Sequence, residues 1–272
     1  MESIRRRAPC VVFDATKPGS INTLQINLTR KPLDDLRIRQ AIRYGIDGKA
    51  IANAYGEMGG QMWGLNPVQF AGSGSDKNLP AELQYRFDPD RAKKLLADAG
   101  FAGGLTIPRF TSQREDYAAI MLMVQEQLRK IGVNLDMKIV DHTTMQNDDR
   151  KDLNALALLS SSYPPVPTQV MMEQLSSATE VEPAGTGGTN LSHYGITMPG
   201  VDGLLEKALD EADFGKRVEV CKEIERQVLR DLPDLGIITL SYVIARNKRV
   251  DLGYPVKSGY AYWPLRTARL AG

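Results

Sequence analysis

At 272 residues the chain is long enough to bury a sizeable core, in one large domain or two small ones. Hydrophobic residues at 42% and charged residues at 25% exclude wholesale disorder, and no apolar run reaches the ~20 residues of a membrane span. Thirty-four basic against 33 acidic side chains leave a net charge of +1, which provides no global field to draw nucleic acid or anionic lipid.

MESIRRRAPC has basic residues but no apolar stretch after them, so no signal peptide is expected in it. On that reading the chain is cytoplasmic or its beginning has been removed. Cys10 and Cys221 are far apart and lack CxxC spacing; Cys221 shares a helical stripe with Val220, Ile224 and Val228, which favours a buried thiol over a disulfide.

Residues 9–28 read as extended, with a KPGS turn and the alternation Leu24, Ile26, Leu28. After Pro32, Asp34 or Asp35 can cap a helix in which Ile38, Ala41, Ile42, Gly45 and Ile46 form the core stripe. Arg37, Arg39, Gln40 and Arg43 fall outside that stripe, and the arginines are expected in solvent. Asp47 can cap a short helix through Ala50, Ile51 and Ala54, and residues 56–86 form a long Gly- and Pro-rich loop of the kind that often carries function. DPDRAKKLLADAG predicts a helix with cap Asp88, Pro89 at its first position and Gly100 past its end.

A strand over residues 105–110, a helix carrying Ile120, Val124, Leu128 and Ile131, and a strand with Val133, Leu135, Met137 and Ile139 follow as strand, helix, strand. A short helix near 143–150 leads to the buried strand NALALLS, then to the loop SSSYPPVPTQ and another helix. Residues 176–200 are loop-like, two amphipathic helices make a hairpin, LGIITLSYVIA (235–245) reads as one strong strand, and residues 252–265 hold two aromatic strand-like pieces. Asp148, Asp149 and Asp152 beside Arg150 and Lys151 suggest a solvated charged face.

Three segments in order, NLTRKPLDDLRIRQAIRYGID, YRFDPDRAKKLLADAGF and VQEQLRKIGVNLDMKIVD, resemble the carboxy-terminal half of extracellular solute-binding proteins of family 5, the peptide, dipeptide and nickel class that serves ABC importers. DLPDLGIITL adds to the resemblance, which covers residues 8–265. It implies an α/β periplasmic-binding-protein-type lobe, a mixed sheet flanked by helices (type II, cluster C-like), with the first lobe missing. Residues 1–30 and 251–272 would then be strands shared with the absent lobe, and residues 31–250 the ligand-binding lobe. The function implied is capture of a small solute by closure of two lobes, with an ABC permease as partner, a periplasmic or extracellular location for the full-length protein, no cofactor and no catalysis. Edges left by the absent lobe are candidates for self-association.

Ligands of open α/β sheets bind beyond the carboxyl ends of strands. One such loop places Thr111, Ser112, Gln113 and Arg114 at a helix start, where an anion such as a carboxylate can be held. Relatives that bind dipeptides use an arginine near this place; a merely solvated arginine is the competing reading of Arg114. The other loop carries Ser161, Ser162 and Tyr163, where the resemblance aligns Ser162 with an aspartate that pairs with a peptide's amine, and Leu159 with a tryptophan. A hydroxyl cannot supply that charge pairing. The expected solute is accordingly a blocked peptide, an opine or a sugar-conjugate-like molecule.

Trp63 in the long loop is a further candidate cleft residue. His142 and His193 have no metal-ligand spacing and read as polar loop histidines, GTGG at 185–188 lacks a P-loop lysine, and Tyr260, Tyr262 and Trp263 read as strand packing. No nucleophile elbow or HExxH occurs, which weighs against an α/β enzyme. The remaining alternative is the ligand-sensing domain of a cytoplasmic transcriptional regulator, although the chain holds no helix-turn-helix with a basic recognition face.

Overall fold

The computed structural model describes residues 6–16, 19–74, 79–162, 167–183, 185, 188–256 and 265–270. The described strands are β1 (Val11–Ala15), β2 (Ser20–Ile26), β3 (Gly59–Gln61), β4 (Leu105–Ser112), β5 (Val133–Val140), β6 (Leu156–Ser162), β7 (Asp234–Leu240), β8 (Val243–Asn247), β9 (Val250–Asp251) and β10 (Arg269–Leu270). The helices are α1 (Leu36–Gly45), α2 (Gly48–Ala54), α3 (Pro89–Asp98), α4 (Glu115–Lys130), α5 (His142–Arg150), α6 (Pro167–Leu175), α7 (Tyr194–Thr197), α8 (Val201–Asp210) and α9 (Phe214–Asp231). The class is α/β with sheets flanked by helices, as the sequence led one to expect, but parallel and antiparallel pairing are divided between separate sheets.

β2 is buried along its whole length because it has a partner on each edge, β7 and β6, and β3 extends the antiparallel sheet to the order β3-β7-β2-β6. Its side chains divide between two cores, as alternation across a pleated strand requires: Leu24 and Ile26 join the larger one and Ile21 the smaller. Beside this sheet, β4 and β5 pair in parallel through the crossover helix α4. Ile120, Val124 and Leu128 of α4 are fully buried against that pair and α1.

The 235–245 segment is two strands, not one. β7 stays with β2 up to Leu240, whereas β8 pairs with β1. The exchange occurs at Ser241 and Tyr242, where the Tyr242 carbonyl accepts from Thr16 N–H (3.0 Å) and its N–H donates to Thr16 Oγ1 (3.1 Å). The 252–265 pieces are not seen as strands where described; residues 257–264, with Tyr260, Tyr262 and Trp263, lie outside the described residues.

Two expectations about charge are corrected. Arg37 is exposed, but Arg39 and Arg43 are buried. Arg39 donates from Nε to the carbonyl of Asp231 (2.8 Å), at the last turn of α9, and from Nη1 to Leu33 (2.8 Å) and Asp34 (2.9 Å). Helix C-termini leave carbonyls without intrahelical donors and carry partial negative charge, so the guanidinium serves as a cap from a neighbouring element. Arg37 does the same for α3 through the Asp98 carbonyl (2.7 Å).

Asp149, expected on a solvated face, is buried beside Asn154, whose Nδ2 donates to it at 2.5 Å, and burial pushes its carboxyl up to about 6. Asp152 likewise turns inward, pairing with Arg30 (3.4 Å) and His193. His193 is no polar loop histidine: it is buried between Asp152 Oδ1 (3.2 Å) and Glu180 Oε2 (2.9 Å, an ion-pair distance without hydrogen-bond alignment), and these acids raise it to about 9. Cys221 is buried and Cys10 exposed, both as free thiols.

Candidate functional site

The sheet register brings several strand ends to one place. Ser20 at the start of β2 is opposite Ser162 at the end of β6 and Leu240 at the end of β7, and Gly59 at the start of β3 is opposite Leu240. β4 ends at Ser112, and the chain turns there into α4. The turn is tied to the β6 end by Tyr117, whose hydroxyl accepts from the Ser160 N–H (3.2 Å).

Around that tie lies a polar cluster. Ser112 Oγ accepts from the Arg114 N–H (3.1 Å) and is 3.1 Å from His142 Nδ1. His142 Nε2 is approached by Arg114 Nη1 (3.3 Å) and Gln146 Nε2 (3.2 Å). Both of those groups are donors, so Nε2 is the acceptor and Nδ1–H donates to Ser112, which makes the imidazole neutral. Desolvation and the Arg114 charge lower the His142 pKa in the same sense. The imidazole also stands edge-on to Tyr117, with centroids 5.0 Å apart.

Arg114 binds Asp116 at two points, Nε to Oδ1 (3.1 Å) and Nη2 to Oδ2 (2.6 Å), and lies over the Tyr117 ring. Half-exposed, this pair contributes about 0–1 kcal/mol and is readily exchanged for a better acceptor. A hollow of about 480 Å³ opens between Tyr55, Arg114, Glu115, Asp116 and Ala119, so two carboxylates share it with the guanidinium. The Tyr55 hydroxyl and the Thr111 hydroxyl are both buried without a hydrogen-bond partner among the described residues. Such groups cost free energy.

Of the residues singled out from sequence, Ser112 and Arg114 therefore meet in one cluster. Gln113 has an exposed side chain, and its N–H donates to the Val140 carbonyl (2.8 Å). Ser161 is half-buried on β6, and Ser162 is exposed with Oγ 2.7 Å from the Tyr242 hydroxyl. Tyr163 lies outside the described residues. Trp63 is not in the cluster: β3 runs from Gly59 beside Leu240 towards Ile238, so the chain carries Trp63 away from the strand ends and onto the main core. Tyr55, Tyr117 and Tyr242 escaped the sequence reading, which took His142 for a polar loop histidine. Only Tyr117, one turn beyond Arg114, and His142, directly after a strand and its Asp141 cap, had a positional signal. Among the described residues no group of three or more His, Cys, Asp or Glu could hold a metal ion.

The profile of bacterial extracellular solute-binding proteins, family 5 (middle), matches residues 5–182. The chain belongs to this family. Its curated relatives include the glutathione-binding protein GsiB of Pectobacterium atrosepticum, 23% identical over 84% of this chain and 43% of its own length. The dipeptide-binding protein of Escherichia coli K12 is 32% identical over 43% of this chain and 22% of its own length. Among solved structures, the binding protein MoaA of A. tumefaciens R10 in complex with mannopinic acid superimposes with a TM-score of 0.83 at 25% identity, covering 100% of this chain and 54% of that one. The dipeptide-binding protein of Pseudoalteromonas sp. SM9913 with Met-Leu gives 0.81 at 25% identity, covering 98% of this chain and 52% of that one. This family 5 chain spans about half the length of such relatives. The family consists of binding components and not enzymes, and no described helix is long and apolar enough to cross a membrane.

Proposed function

We propose that this chain is one ligand-contacting lobe of a solute-binding protein that serves an ABC importer, and that its share of the solute site is the strand-end cluster of Ser112, Arg114, Tyr117, His142 and Ser160–Ser162. The observation that carries the reading is the placement of Arg114: it lines the hollow beside Tyr55, with Nη1 against the neutral His142 and its fork on the half-exposed Asp116. An arginine so held suits a carboxylate, which can replace Asp116 in the same bidentate geometry. Ser162 and Tyr242 offer hydroxyls and no charge, which suits a peptide with a blocked amine, an opine or a conjugate. Of the solutes in relatives' names, mannopinic acid fits that range, whereas glutathione and Met-Leu carry a free amine and share with it the carboxylate that Arg114 would take.

In the complete protein a second lobe would close over the solute by hinge motion, exclude water and present the closed form to a membrane permease outside the cytoplasm. We assign residues 20–240, which carry the four-stranded sheet, to the lobe proper in place of the 31–250 expected from sequence, and the half-buried β1–β8 ribbon to the crossing between lobes. A regulator's sensing domain is not favoured, since the relatives found are binding proteins. Calorimetry on a protein carrying both lobes tests the site: Arg114→Ala should weaken a carboxylate-bearing solute at least about tenfold, roughly 1.4 kcal/mol. Unchanged affinity would remove Arg114 from the site.

A further inference from the structure

A second concave site lies away from the strand ends. It is a pocket of about 390 Å³ between α1, the start of α2 and the segments around Trp63 and Phe87. That volume is in the range of small-molecule sites. Its floor is Arg43, which is 4% exposed. The guanidinium has one long hydrogen bond, from Nη2 to the Trp63 carbonyl at 3.4 Å, and no ion pair with a carboxylate among the described residues. Burying a charged group with so little compensation is costly. Desolvation accordingly pulls Arg43 down to about 10, the reverse of what a bound anion would do.

The rim repeats the sign of the floor. Lys49 and Arg86 line the pocket and are exposed, against one carboxylate, Asp47, whose Oδ1 already accepts from the Ala50 N–H (2.9 Å). The walls are aromatic: Tyr85 is buried, Trp63 is half-buried on the core, and Phe87 is 47% exposed. None of these residues belongs to the strand-end cluster. We infer that this pocket is a second binding site, for a small organic anion whose carboxylate or phosphate meets Arg43 while an aromatic body packs on Trp63 and Phe87. The anion would gain a charge-assisted hydrogen bond from a guanidinium that is already desolvated and positioned.

The test is a fluorescence titration. The chain has two tryptophans, so Trp263→Phe leaves Trp63 as the reporter on the pocket wall. Titration with phenyl phosphate, benzoate and inorganic phosphate should give saturable changes for the two aromatic anions, with Kd below about 1 mM, and at least about tenfold weaker binding for inorganic phosphate. Arg43→Gln should lower the affinity at least about tenfold. Because that substitution is in the core, a Lys49→Gln/Arg86→Gln double variant at exposed positions is measured beside it. Its affinity should fall at least about threefold with an unchanged melting temperature. Non-saturable quenching, or full affinity in the double variant, would overturn the inference. So would loss of the signal in Arg114→Ala, which would place the anion at the strand-end site.

Discussion

In the proposed site, Ser162 is the residue expected to set solute selectivity. Its hydroxyl is exposed at the end of β6 and 2.7 Å from the Tyr242 hydroxyl, so a carboxylate in its place would add there the charge that an ammonium needs. Ser162→Asp in a protein with both lobes should shift preference, measured by competitive calorimetry, towards solutes with a free amine; unchanged selectivity would count against Ser162 as a contact. Buried titratable residues make a separate prediction. His193 is raised to about 9, so its stabilisation is complete below about 6.5 and is lost as pH rises through 9. Glu225 and Asp234 are raised by burial to about 7 each, so they fit best when neutral, and stability falls as they ionise between pH 4 and 7. Both effects have the same sign. Thermal melting should show a stability decline from pH 5 to pH 9, with Glu225→Gln flattening the acidic half of the decline only.

Elements were legible in the sequence wherever one local rule decided them. α3 begins on the Asp88 cap with Pro89 and is followed by Gly100, and α4 shows the apolar stripe that places Val124 and Leu128 in the core. Features set by partners distant in sequence were not legible. Arg39 and Arg43 lie off the apolar stripe of α1 yet are buried, because another helix end and a distant loop close over them. The 235–245 segment has uninterrupted strand character, and only the contact of Tyr242 with Thr16 divides it. The polar cluster was half legible for the same reason: Ser112 and Arg114 are local to a strand-to-helix turn, whereas Tyr117 and His142 join it through the β6 and β5 ends.

The long loop after β3 is likewise held by a distant residue. Glu225 of α9 accepts from the Asn66 N–H (3.3 Å), the Asn66 amide (3.3 Å) and the Gly74 N–H (3.4 Å). A Cβ on Gly64 would sit 2.0 Å from Glu225 Oε1, and one on Gly236 would sit 1.9 Å from the Gly64 carbonyl oxygen. Gly64→Ala and Gly236→Ala should each lower the urea-unfolding free energy by about 1–3 kcal/mol. A change under 0.5 kcal/mol, within the range of ordinary surface substitutions, would mean the loop is not pinned there.

At the scale of the molecule, the described residues form two large buried cores and a covered central sheet, while Arg114 and Ser162 of the strand-end cluster are exposed. A stable scaffold presenting an exposed polar face is what a two-lobe clamp requires of each half, because the solute is desolvated only when both halves meet. The most direct measurement is calorimetric affinity for one solute, determined side by side on this chain alone and on a protein in which it is joined to a first lobe. The account predicts at least about hundredfold weaker binding by the chain alone, roughly 2.7 kcal/mol. Equal affinity, or a micromolar Kd for the chain alone, would contradict it.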